Sequence, residues 1–134
     1  MNTTTQHVIE MVQRFIALSM ASDPASEAML APGFTLVFTG GRRFTRPGEI
    51  GAFNATRYAR VAKRIHRWDV SQSDDETVVT CTGELYGAWP DGTAFDGNRF
   101  LDRFLLKGGL IVRMDVWNDS AEWILDGHRA APPT

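Results

Sequence analysis

Gly97-Asn98-Arg99-Phe100-Leu101-Asp102-Arg103-Phe104-Leu105-Leu106-Lys107-Gly108-Gly109-Leu110-Ile111-Val112-Arg113-Met114-Asp115-Val116-Trp117 decides the fold. Apolar residues crowd both sides of Gly108-Gly109, and a Gly pair accepts the positive φ that a two-residue hairpin turn demands. The stretch predicts two long antiparallel strands, 95–106 and 110–117. Toward the N-terminus, Trp89-Pro90-Asp91-Gly92-Thr93 is dense in turn formers, and Glu76 to Ala88 is rich in Val, Thr and Tyr. Asp74-Asp75 turns the chain again, and Ile65 to Ser71 alternates as a strand does. The second half of the chain is a four-stranded meander.

The first half has another period. Val8, Met11, Val12, Phe15 and Ile16 form the single apolar stripe of a helix over about 4–21. Asp23-Pro24 restarts a short helix, with Asp as N-cap, and Pro32-Gly33 stops it. Residues 34–39 read as a strand, Gly40-Gly41 as a hairpin turn, and Arg42 to Thr45 as the return. Pro47 and Glu49 open a third helix carrying Ile50, Phe53, Tyr58 and Val61 and ending near Lys63. Asn118 or Asp119 caps a short final helix through Leu125. The order is α-α-β-β-α-β-β-β-β: an α+β fold whose antiparallel sheet curls around the helices and leaves a pocket at its open end.

The chain has 134 residues, 43% hydrophobic and 22% charged, which predicts one globular domain over 1–126 and a tail over 127–134. Cys81 is the lone cysteine, so no disulfide framework and no multi-cysteine metal site is possible within the chain. His7, His66 and His128 have no metal-ligand spacing, and neither a phosphate-binding glycine loop nor a serine nucleophile elbow is present. We expect no metal and no cofactor. With neither a signal sequence nor an apolar run long enough for a membrane span, the expected setting is cytoplasmic, away from membranes. The net charge of −2 argues against a nucleic-acid partner. Within it, residues 42–67 hold Arg42, Arg43, Arg46, Arg57, Arg60, Lys63, Arg64 and Arg67 against Glu49 alone. That strip reads either as a surface for an anionic ligand or as a solvated helix face.

The run Arg99-Phe100-Leu101-Asp102-Arg103-Phe104, followed by Asp115-Val116-Trp117-Asn118-Asp119, resembles the strand and ending of SnoaL-like proteins. These belong to the nuclear transport factor 2-like superfamily, with its cystatin-like cone. Val12-Gln13-Arg14-Phe15 is similar to the opening helix of ketosteroid isomerases. The resemblance implies a cone of helices and curved sheet hosting polyketide cyclase-like, isomerase-like or dehydratase-like chemistry, or none. Against ketosteroid isomerases, Phe15 stands where the catalytic Tyr would, Phe38 where the base would, and Asp102 matches the second oxyanion-hole acid. Against limonene epoxide hydrolases, Glu84 and Asp115 fall on the acid pair. Against scytalone dehydratases, His66 is the available cone histidine.

Side chains alternate across strands. The resemblance turns Asp115 inward, together with Arg113 and Trp117. Phe100 and Phe104 want the interior and take Asp102 with them. His66 and Trp68 share one face of their strand; Glu84 and Tyr86 share one face of theirs. Asp115, Asp102, His66 and Glu84 are therefore the candidate catalytic residues. Trp68, Tyr86, Trp117, Phe15, Phe38 and Phe100 are the candidate ligand-binding walls. Asp102 and Asp115 are equally far along their strands from the Gly108-Gly109 turn, which predicts that they face one another and share a proton. The opposite face of the last strand, Val112, Met114 and Val116, is apolar and predicts a homodimer through the outer sheet surface. The expected function is cofactor-independent acid–base chemistry on an apolar carbonyl compound. The alternatives are a non-catalytic ligand-binding or dimerisation module of the same fold, or a dioxygenase small-subunit-like structural partner.

Overall fold

The computed structural model describes residues 3–120. The expected final helix through Leu125, the domain end at 126 and the 127–134 tail lie outside these residues.

Helix α1 spans Thr3–Met20, and its apolar stripe places Val12, Phe15 and Ile16 in the core. A short 3-10 helix, Pro24–Met29, follows, with the Asp23 carboxylate accepting from the Ala25 amide. Strands β1 (Leu30–Val37) and β2 (Arg43–Phe44) form the first hairpin. Pro32-Gly33 does not end the preceding helix; it lies inside β1, in a segment that leaves the ladder between Leu30 and Thr35. Helix α2 spans Pro47–Arg57, opened by Pro47 and by Glu49, whose carboxylate accepts from the Thr45 amide and hydroxyl. The meander is β3 (Arg60–Ser73), β4 (Glu76–Ala88), β5 (Ala94–Lys107) and β6 (Leu110–Asn118).

Helix α2 is shorter than expected. Tyr58 is already extended, and its ring is fixed by Trp89 and Phe95, at centroid distances of 5.7 and 5.6 Å. The Ala59 amide donates to the Ala88 carbonyl, so the residues read as the last helical turn are recruited as the first of a strand. Gly83 makes this pairing close. A Cβ there would stand 2.0 Å from the Arg64 carbonyl oxygen, a separation no side chain tolerates.

The six strands form one curved, open sheet in the order β2-β1-β6-β5-β4-β3. It is mixed rather than wholly antiparallel, because β1 runs parallel to β6 while the other pairs are antiparallel. The long chain excursion through α2 and the meander brings β6 back beside β1, closing the cone around α1. Phe15 meets Phe104 edge to face at 6.1 Å, which ties helix to sheet through aromatic burial.

Candidate functional site

β-Bulges in the meander determine which side chains enter the cone. In β5–β6 the register shifts between Leu105 and Leu106, leaving Val112 as the extra residue. Ile111 and Met114 can then both face the core, although they are three apart. Asp102 pairs with Val116, and Asp115 pairs with Arg103. The expected Asp102–Asp115 dyad is thereby corrected: the two acids lie on opposite faces of the sheet. Asp115 is held on the outer face by Arg113, at 2.9 Å, and faces Arg103, at 3.6 Å. Trp117 is 49% exposed and lines no wall of the cone. Met114 and Val116 are buried in the core. Two of the three residues on which the expected homodimer face rests, Met114 and Val116, therefore do not lie on the outer surface.

Another bulge falls at His66, where the β3–β4 register shifts between Ile65 and Arg67. Val61, Lys63 and Ile65 face inward before it, and Trp68 and Val70 after it, packed against the core. His66 itself is exposed on the rim, with Nε2 at 3.9 Å from Glu84. Glu84 and Tyr86 also point outward, and both meet Arg64. Val79, Cys81 and Leu85 occupy the inner face instead. Phe15, Phe38, Phe100 and Asp102 are inside as expected. Phe38 lines the cavity, whereas Phe15 is core packing. Cys81 is a packing residue too; burial and the neighbouring Asp102 push its thiol up to about 12, so it stays protonated and unreactive.

The cone contains a cavity of about 80 Å³, with walls that include Phe38, Phe44, Phe53, Tyr58, Leu85 and Met114. Among the described residues two cations line it, Arg57 and Lys63, and no carboxylate does. Lys63, 15% exposed, forms an ion pair with Asp102, which is fully buried. Its ammonium also sits 4.9 Å from the centroid of Phe100. Only one carboxylate oxygen of Asp102 is engaged; Oδ1 has no partner. Arg57, at the end of α2, is 5% exposed. Its guanidinium lies over Phe38, Phe53 and Tyr58 at 4.4, 4.8 and 4.8 Å. It donates to the Asn54 amide oxygen and to the Tyr58 hydroxyl, each at 3.0 Å, and both acceptors are neutral. Burial lowers its pKa from the ordinary arginine value. Asn118, also on the cavity wall, has an unpartnered Oδ1.

Arg57 and Lys63 were not among the expected site residues, because both sit in the basic 42–67 strip and read as surface charge. The other members, Arg42, Arg43, Arg46, Arg60, Arg64 and Arg67, are indeed exposed. A signal was present for Lys63: it alternates with Val61 and Ile65 in a strand pattern, which places it on their face. For β4 the alternation was equally plain, since Val79, Cys81 and Leu85 are the apolar members. Among the described residues, no group of three or more His, Cys, Asp and Glu side chains is placed to hold a metal ion. No helix among them is long and apolar enough to cross a membrane.

No family model matches the chain, and no curated protein matches it significantly. Solved structures do. A candidate SnoaL-like polyketide cyclase from Jannaschia sp. CCS1 superposes with a TM-score of 0.63 at 21% identity, covering 93% of this chain and 92% of that one. A nuclear transport factor 2-like protein from Burkholderia thailandensis gives 0.67 at 18% identity, covering 97% of this chain and all of that one, 100%. TerC, co-crystallised with polyporic acid, gives 0.66 at 17% identity over 87% of this chain and 95% of that one. The shared property is the fold: this chain has the nuclear transport factor 2-like cone that SnoaL-like proteins share.

Proposed function

We propose that this protein binds a small, mostly apolar carbonyl compound in the cone and moves a proton on it, in an isomerisation, dehydration or cyclisation. The observation that carries the reading is the Lys63–Asp102 ion pair at the wall of an aromatic cavity. A buried ion pair is poor value as a stabilising device, because desolvation of both charges offsets their attraction. Beside a cavity it has a chemical use. The Lys63 ammonium donates to a ligand oxygen and, as the α-proton leaves to water, stabilises the negative charge that develops there or passes a proton to it. Asp102, behind it, fixes the ammonium and compensates its charge before the ligand arrives. That a protein of the same fold was co-crystallised with polyporic acid supports a small organic ligand for this fold.

One observation favours a second reading, a binding module without catalysis. Asp115 is outside the cone, so the two-carboxylate arrangement that divides acid from base is missing. Hydrogen–deuterium exchange at the α-carbon of neutral ketones separates the two. Phenylacetone and 1-indanone, followed by proton NMR in deuterated buffer, should exchange faster with the protein than without it. Lys63→Met should remove the acceleration. Ligand binding with exchange at the buffer rate would establish the binding module instead.

A further inference from the structure

A buried charge needs a counter-charge, and the cone holds one cation too many. Lys63 is balanced by Asp102. Among the described residues Arg57 has no counter-charge: its two acceptors are an amide oxygen and a phenol, and its Nε–H has no partner there. The aromatic rings around it supply only the partial negative charge of their faces. The one other charged group over Phe53, Arg42 at 4.7 Å, is also a cation and adds to the positive field. Among the described residues no carboxylate lines the cavity to neutralise either. A guanidinium so placed costs free energy in the empty protein. Its planar fork is the geometry that holds a carboxylate or another delocalised oxyanion.

Taking the cone cavity as the ligand site, we propose that its ligand is an organic anion, a carboxylic acid or an acidic enol, whose charged head is bound by Arg57 against Phe38 and Phe53 while its apolar part fills the cone. The volume agrees with this division. About 80 Å³ takes a small acid or the head of a larger one. Asn118, with an unpartnered amide oxygen on the same wall, offers an acceptor for a hydroxyl carried by the ligand. The inference narrows the substrate class: simple neutral ketones would occupy the cone without using its strongest group.

Benzoate and benzamide test it, since they share a shape and differ in charge. Isothermal titration should show benzoate binding about tenfold or more tightly, the discrimination expected of a charge-assisted, desolvated pair. Arg57→Gln should erase the preference, and Arg57→Lys should keep part of it. The wild type alone supplies an independent readout should the variants fail to fold. The Arg57 Nε–H resonance should shift on adding benzoate and stay in place with benzamide. Equal affinities, a preference that survives in Arg57→Gln, an unmoved Nε–H resonance, or no binding of either compound at millimolar concentration would each overturn the inference. The outcome is separable from the proposed proton transfer. Lys63-dependent exchange of neutral ketones without a benzoate preference overturns only the anion site. A benzoate preference without any exchange keeps the anion site and assigns the cone to binding.

Discussion

Removing Asp102 from beside Lys63 leaves an ammonium with no counter-charge at the wall of an apolar cavity. Breaking a buried pair in this way typically costs about 3–5 kcal/mol, whereas replacing both partners by apolar groups is often neutral. Asp102→Leu should therefore lower the urea midpoint strongly, and Lys63→Met together with Asp102→Leu should recover most of the loss. Strictly additive single and double variants would mean that the two groups do not interact. Individual residues were unequally legible. Asp102 could be placed inside because Phe100 and Phe104 share its face, and two buried aromatics leave little choice. Arg57 could not, because nothing local distinguishes a guanidinium clamped between rings from the exposed arginines around it. The rings that hold it come from separate stretches of chain, with Phe38 just past β1, Phe53 in α2 and Tyr58 at the C-cap of α2, two residues before β3.

At the scale of elements, one extra residue in a strand reverses everything beyond it. Existence and order were readable from turn chemistry: Gly108 and Gly109 have positive φ of 58° and 79°, as the hairpin requires. The bulges at His66 and Val112 carry no such mark, since neither Pro nor Gly sits there. Alternation groups Asp115 with Arg113 and Trp117 and sets Met114 with Val116 on the other face; the resemblance turns the first group inward, the reverse of the structure. The reversal has a measurable consequence. On an exposed dimer face, Val116→Asp would give a folded monomer. In the core beside Met114 and Leu36, a carboxylate loses its hydration in an apolar wall, which costs several kcal/mol. We expect Val116→Asp to lose its cooperative thermal transition and near-ultraviolet circular dichroism. A native spectrum with an unchanged melting temperature would return Val116 to the surface.

Over the whole molecule, charge is sorted by the sheet. Among the described residues, two cations meet one acid inside; outside, acids and arginines pair with one another, exposed except for the buried Asp115. Hydrogen bonds from Arg64 and Arg99 hold the carboxyls of Asp96 and Asp119 below the usual range. Donors from Thr93 and Thr45 do the same for Asp91 and Glu49. In each case the folded state favours the charged form, so the unfolded chain binds more protons at low pH. The stability these groups supply is complete above the ordinary carboxylate pKa, about 4. It is lost as the pH falls through the lower folded values. Each group is exposed, so each contributes little, and the effect belongs to the set. The two kinds of donor respond differently to salt. The Arg64–Asp96 and Arg99–Asp119 attractions weaken as the screening length drops from about 10 Å at 0.1 M to about 3 Å at 1 M. The Thr45 and Thr93 hydrogen bonds carry no such dependence. The urea midpoint should be level from neutral to mildly acidic pH and fall below about pH 4. High salt should remove only part of that fall. A decline beginning near pH 6.5 would assign the transition to a histidine instead. Complete suppression by salt would leave Glu49 and Asp91 with no share in it.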